Sequence, residues 1–93
     1  MAQPENNGHN GNYYSLQVDR PMKETPPYRV ECADVIENLR MDFNEGEAFK
    51  AIWRKAARRM GNAKQSSDDL YDAQKVAHYG ARMEAMSKAS KGE

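Results

Sequence analysis

Five cations crowd one short stretch of this chain: Lys50, Arg54, Lys55, Arg58 and Arg59. Lys50, Arg54 and Arg58 recur at steps of four, so on a helix they share a face. Guanidinium forks suit phosphate because each can donate two hydrogen bonds at once. Trp53, Tyr71, Tyr79 and the arm tyrosines Tyr13 and Tyr14 supply flat faces on which a base can stack. A nucleotide needs both kinds of side chain. The expected phosphate-binding set is therefore Lys50, Arg54, Arg58 and Arg59, and the expected stacking set is Trp53, Tyr71 and Tyr79. A structural role competes with this one. Asp68, Asp69 and Asp72 open the following helix, and in an antiparallel hairpin they fall close enough to neutralise the cations.

Other chemistry finds less support. There is no Gly-x-x-x-x-Gly-Lys-Ser/Thr loop, no Gly-x-Ser-x-Gly elbow and no His-Glu-x-x-His. Asp34-x-x-Glu37 and Asp69-x-x-Asp72 each set two carboxylates on one helix face. Two such pairs facing each other can hold magnesium for pyrophosphate hydrolysis, but the same spacing is common on solvated faces. No metal site and no resident cofactor are expected; magnesium enters only with an enzymatic reading. Cys32 is the single cysteine, so it forms no intrachain disulfide and no zinc site. It is expected to pack as a small apolar residue. His9 lies in a polar tail and His78 has no partner in view, so no catalytic residue is assigned.

Ninety-three residues make at most one domain. Acids and bases balance at 14 each, so no global field draws the chain to nucleic acid or membrane. Neither is an expected partner. No apolar run is long enough to span a bilayer, and the polar N-terminus lacks a secretion signal. A cytoplasmic setting is expected.

The cations sit on a stretch with strong helical rhythm, Phe43–Met60. Ala48, Phe49, Ile52, Trp53, Ala56, Ala57 and Met60 form its apolar stripe. Asn44 is the expected N-cap, with Glu47 in capping-box position, and Gly61 the expected left-handed stop. Arg29–Arg40 reads as a shorter helix with Cys32, Val35, Ile36 and Leu39 inward. After the break Gly61–Ser66, a third helix over 67–86 starts at a Ser66 cap and turns Leu70, Ala73, Val76, Ala77, Gly80 and Met83 inward. Its small residues offer a surface for Trp53 or Phe49. Residues 1–28 read as a flexible or extended arm in which Tyr14, Leu16 and Val18 alternate, 29–86 as the helical domain and 87–93 as a frayed tail. The expected fold is all-α: an antiparallel helical hairpin, a shorter N-terminal helix and an arm. A core of about 60 residues is marginal on its own, so a homo-oligomer is expected.

Tyr28–Met83 resembles the SaV-like family of small phage proteins and is similar to the C-terminal part of podophage nucleotide kinase. The residues that carry this are Val35-Ile36-Glu37, Phe43, Gly46-x-Ala48-Phe49-Lys50-x-Ile52-x-Arg54-x-Ala56, Asp69-Leu70-x-x-Ala73 and Tyr79. The family core reads Gly-Asn-Ala-x-Lys-Tyr, then Arg-Ala, then Asp-Leu-x-Lys-Ala. Glu47, Ala51 and Asp72 stand where it has Asn, Tyr and Lys. The resemblance implies a nucleotide-handling protein of an infected host cell, with Gly46, Lys50, Arg54 and Asp69 carried over. A nucleoside monophosphate kinase must hold donor, acceptor and magnesium away from water, which strains so small a fold. The expected function is thus binding without turnover. A nucleotide, or a cyclic-nucleotide-type immune signal, would be sequestered at a subunit interface to counter host defence. The alternatives are a nucleotide kinase or magnesium-dependent hydrolase, and a protein-only inhibitor of a host factor.

Overall fold

The computed structural model of the chain describes residues 12–61 and 68–92. A 3-10 turn, Asn12–Tyr14, leads into strand β1, Ser15–Val18, which pairs with β2, Tyr28–Glu31. Three helices follow: α1 at Cys32–Asn38, α2 at Phe43–Arg59 and α3 at Asp69–Ser90. The fold is mostly helical, but the two-stranded sheet corrects the all-α expectation.

The sheet replaces the first turn of the expected helix Arg29–Arg40. Pro27 disfavours a helical start just before it, and Tyr28-Arg29-Val30-Glu31 alternates as a strand does. Its antiparallel partner sets Leu16 opposite Val30 and Ser15 opposite Glu31. Arg29 Nε donates to Ser15 Oγ at 2.7 Å, and Ser15 Oγ donates to Glu31 Oε2 at 2.9 Å, so side chains lock the register. The alternation in the arm is therefore a strand of this chain's own sheet.

Helix α1 ends before the expected Arg40 because Arg40 adopts a left-handed φ of 56°. The Met41 N–H reaches the Ile36 carbonyl at 3.0 Å and the Arg40 N–H reaches that of Glu37 at 3.1 Å. That is a Schellman stop with arginine where glycine is favoured. Arg40→Gly is expected to raise stability by about 1 kcal/mol, the usual left-handed penalty of a Cβ, as an upward shift of the urea midpoint.

The cap of α2 lies two residues earlier than expected. Asp42 Oδ1 accepts the Glu45 N–H at 2.8 Å, and Glu45 Oε1 accepts the Asp42 N–H at 2.9 Å. Both Asp42-x-x-Glu45 and Asn44-x-x-Glu47 fit a capping box, and the earlier one wins. Gly61 has the expected left-handed φ, 87°. Asp68 caps α3 by accepting the Tyr71 N–H at 2.7 Å, while Ser66 lies outside the described residues. α3 runs to Ser90, so most of the expected frayed tail is helical.

Helices α2 and α3 pack as the expected hairpin, but by different faces. α2 buries Gly46, Ala48, Ala51, Arg54 and Ala57, and leaves Ile52 and Met60 exposed. α3 buries Asp72 and half-buries Ala73, Val76, Gly80 and Met83, while Leu70 and Ala77 face out. Trp53 lies against the arm, its Nε1–H donating to the Tyr13 carbonyl at 2.6 Å. The small residues let the two backbones approach closely. The largest fully buried side chains among the described residues are Asp72 and Cys32, so a charged group holds the place of a core leucine.

Candidate functional site

The strongest polar cluster is built where α2, α3 and the arm meet. Steps of three from Ala51 through Arg54 to Ala57 point at α3, and alanine on both sides leaves room for one guanidinium. Arg54 is 6% exposed and Asp72 is 0% exposed. Arg54 Nε donates to Asp72 Oδ1 at 2.9 Å, and Arg58 Nη1 donates to Asp72 Oδ2 at 3.1 Å. One carboxylate thus serves two arginines, one oxygen each. Arg54 Nη1 also donates to the Tyr14 hydroxyl at 2.9 Å, which ties the arm to the hairpin. Desolvation is the largest influence on the Arg54 guanidinium and works to lower its pKa. The hydrogen bonds and charges of Tyr14 and Asp72 together outweigh it, so the group is held above its ordinary value and stays charged.

Among the described residues, the remaining cations of α2 divide between paired and unpaired. Lys55 pairs with Asp69 at 3.2 Å. Glu47 bridges Lys50 and Lys75, at 3.6 Å from each. Arg59 is exposed and has no ion-pair partner among the described residues. Asp69 and Asp72 of α3 therefore neutralise Lys55, Arg54 and Arg58, as the competing structural role anticipated, while Lys50 is met by its own helix and Asp68 serves as a cap. The stacking set does not converge. Trp53 packs edge-on to Phe49 under the arm, 5.9 Å between centroids. Tyr71 and Tyr79 lie along α3 with the Lys75 ammonium 5.4 and 5.9 Å from their ring centres. Tyr79 also meets Phe43 edge-on at 5.7 Å.

Tyr14, Glu47 and Lys75 belong to these networks; the sequence offers Tyr14 as a further stacking ring and gives Glu47 and Lys75 no site role. Tyr14 is joined to Arg54 across forty positions, with no local signal. Lys75 is legible after the fact, because Tyr71, Lys75 and Tyr79 recur at steps of four. Among the described residues, no group of three or more His, Cys, Asp or Glu is placed to hold a metal. Asp34 and Glu37 are exposed, while Asp69 and Asp72 are engaged by cations. His78 is exposed beside Tyr79.

One cavity adjoins the cluster. It measures about 280 Å³ and is lined by Tyr14, Glu31, Cys32, Ala33, Ile36 and Lys50. Cys32 is buried at 2% exposure, as expected of a small packed residue. Burial pushes its thiol up from 9.0, against the opposing pull of Lys50 and Arg54. Burial likewise raises Tyr13 from 10.0; the neighbouring Tyr14 adds to this and Arg54 opposes it. Both groups therefore ionise more readily in the unfolded chain. Their contribution to stability is whole below the unfolded values and is lost as pH rises through the folded ones. The urea midpoint is expected to be level from about pH 6 to 8 and to fall above about pH 9, with Cys32→Ala removing the earlier part of the fall.

Compared with protein-family models, with curated proteins and with solved structures, the chain matches none.

Proposed function

We propose that this protein acts by binding a nucleotide-type anion without turning it over, at the cavity between the arm and the α1–α2 corner. The observation that carries the reading is the wall of that cavity. It combines a lysine ammonium, a tyrosine ring and a carboxylate within about 280 Å³. Lys50 would balance the phosphate charge. Tyr14 would stack on the base while Arg54 holds its hydroxyl. Glu31 would accept hydrogen bonds from ribose hydroxyls, as acidic residues do in dinucleotide sites. The volume sits just below the range of about 300–1,000 Å³ for drug-sized ligands, which favours a mononucleotide over a dinucleotide. Of the expected phosphate set, Lys50 alone lines this wall; Arg54 has a supporting role behind it. The resemblance to nucleotide-handling phage proteins points the same way. In an infected cell such binding would remove a signalling or precursor nucleotide from the host.

The test is calorimetric titration with nucleoside mono-, di- and triphosphates and cyclic nucleotides, each recovered afterwards and checked by chromatography. The expected result is saturable binding of a mononucleotide, returned unchanged. Lys50→Ala is expected to weaken it by about 10- to 100-fold, the loss of a charge-assisted contact. Product in the recovered fraction would give the place to the kinase or hydrolase reading. No binding across the panel would overturn nucleotide binding and leave a protein partner as the reading to pursue.

A further inference from the structure

The outward flank of α2 is apolar and uncovered. Two cavities lie along it, one of about 430 Å³ reaching Leu39, Met41 and Met83, the other of about 240 Å³ reaching Leu16, Trp53 and Met60. They share Phe49 and Ile52, so they form one groove with Ile52 at its middle. Ile52 is 53% exposed, Met60 66% and Leu39 68%. Residues 1–11 and 62–67, outside the described set, offer only Met1, Ala2, Pro4 and Ala63 as apolar side chains, too little to fill it.

We propose that a second copy of this chain fills the groove, with the two α2 helices antiparallel and the two-fold axis passing beside Ile52. Charge order argues for this occupant. Glu45, Ile52 and Arg59 are spaced by sevens, so they share one face of α2 within about 20° per step. An antiparallel two-fold at Ile52 sets position 45 of one copy opposite position 59 of the other, at both ends. Arg59, without an ion-pair partner among the described residues, then meets the partner copy's acid at position 45. The Glu45 carboxylate gives one oxygen to the Asp42 N–H and keeps the other for this contact. Ala56, half-buried beside Ile52, adds no bulk on this flank. Met60, about 12 Å along the helix from Ile52, reaches the level of the partner copy's Met41–Glu45 cavity. The surface is self-complementary, as an isologous interface requires.

Sedimentation velocity without added ligand tests the assembly, and thiol crosslinking tests the axis. The wild type is expected to sediment at twice the 10.6 kDa chain mass. Ile52→Cys adds the one exposed thiol, because Cys32 is buried, and is expected to form a disulfide dimer under mild oxidation. Ala81→Cys, on the exposed side of α3, is expected not to. Glu45→Arg and Arg59→Glu are each expected to weaken association by about tenfold or more through facing like charges. An equimolar mixture of the two variants restores both pairs and should dimerise again, which loss of the Glu45 cap would not do. A monomeric wild type, equal crosslinking of the two cysteine variants, or a mixture that stays dissociated would overturn the proposal. So would a stable complex with a different protein on this face. Nucleotide binding is scored separately on the same samples, so neither result decides the other.

Discussion

Asp72→Ala is expected to destabilise the fold by about 3–5 kcal/mol, the typical loss when one partner of a buried ion pair is removed. Arg54 would keep its Tyr14 contact but lose its carboxylate in a site it cannot leave, and Arg58 would lose its bond to Asp72 Oδ2. A chain of this length has roughly 5–14 kcal/mol in all. With no large aliphatic side chain fully buried among the described residues, this one belongs near the lower limit. Asp72→Ala should therefore keep at most about 2 kcal/mol and begin to unfold near 25 °C, with no folded baseline in urea by circular dichroism. Replacing both partners, Arg54→Met with Asp72→Leu, should fall within about 2 kcal/mol of wild type, because apolar groups of similar size avoid the desolvation cost. The double-mutant cycle in urea reads the difference. If Asp72→Leu and Arg54→Met simply add in the double variant, the two groups are not coupled in the folded state. Lys55 with Asp69 is the internal control: both are partly exposed, so breaking that pair should cost no more than about 1 kcal/mol.

Trp53→Ala should cost about 3 kcal/mol, the low end for a large aromatic because the indole is half-buried. Two losses combine: packing against Phe49, and the Nε1–H bond to the Tyr13 carbonyl. Trp53→Phe separates them, keeping most of the packing and forfeiting about 1–2 kcal/mol for the bond and the carbonyl left behind. Trp53 is the one tryptophan, so its fluorescence reports the arm directly. Tyr14→Phe, which cuts the arm's tie to Arg54, should shift the emission red at urea concentrations below the main transition. An unchanged spectrum in that window would mean that the arm and the hairpin unfold as one unit.

These expectations rest on contacts that sequence reasoning caught unevenly. The end of α2 is legible, because the glycine at 61 acts within a few residues, whereas both ends of α1 and the far end of α3 shift from their expected places. The acids that would meet the cations were also in view: Asp69 and Asp72 do pair with Lys55, Arg54 and Arg58. The cap of α2 was misplaced because two overlapping boxes satisfy one pattern. The strand at Tyr28–Glu31 is missed because four alternating residues also fit the first turn of a helix, and only the partner strand across the intervening loop decides between the two. Of the candidate site, the cationic face and Tyr14 as a stacking ring are legible; the meeting of Tyr14 with Arg54 is not, since it depends on the sheet that returns the arm to α2.

By itself the sequence determined the existence and order of the three helices and the amphipathic character of α2, set by spacing within a few turns of chain. Only the tertiary structure decided which flank of α2 faces inward. Hydropathy favours the side with Ile52, Trp53 and Met60, but close helix approach rewards the slimmer side with Ala51 and Ala57. That rotation carries Arg54 into the interior, where Asp72 makes its charge tolerable, and leaves the apolar stripe on the outside. No local property of either residue records the exchange, because burial of a charge is settled by the group it meets.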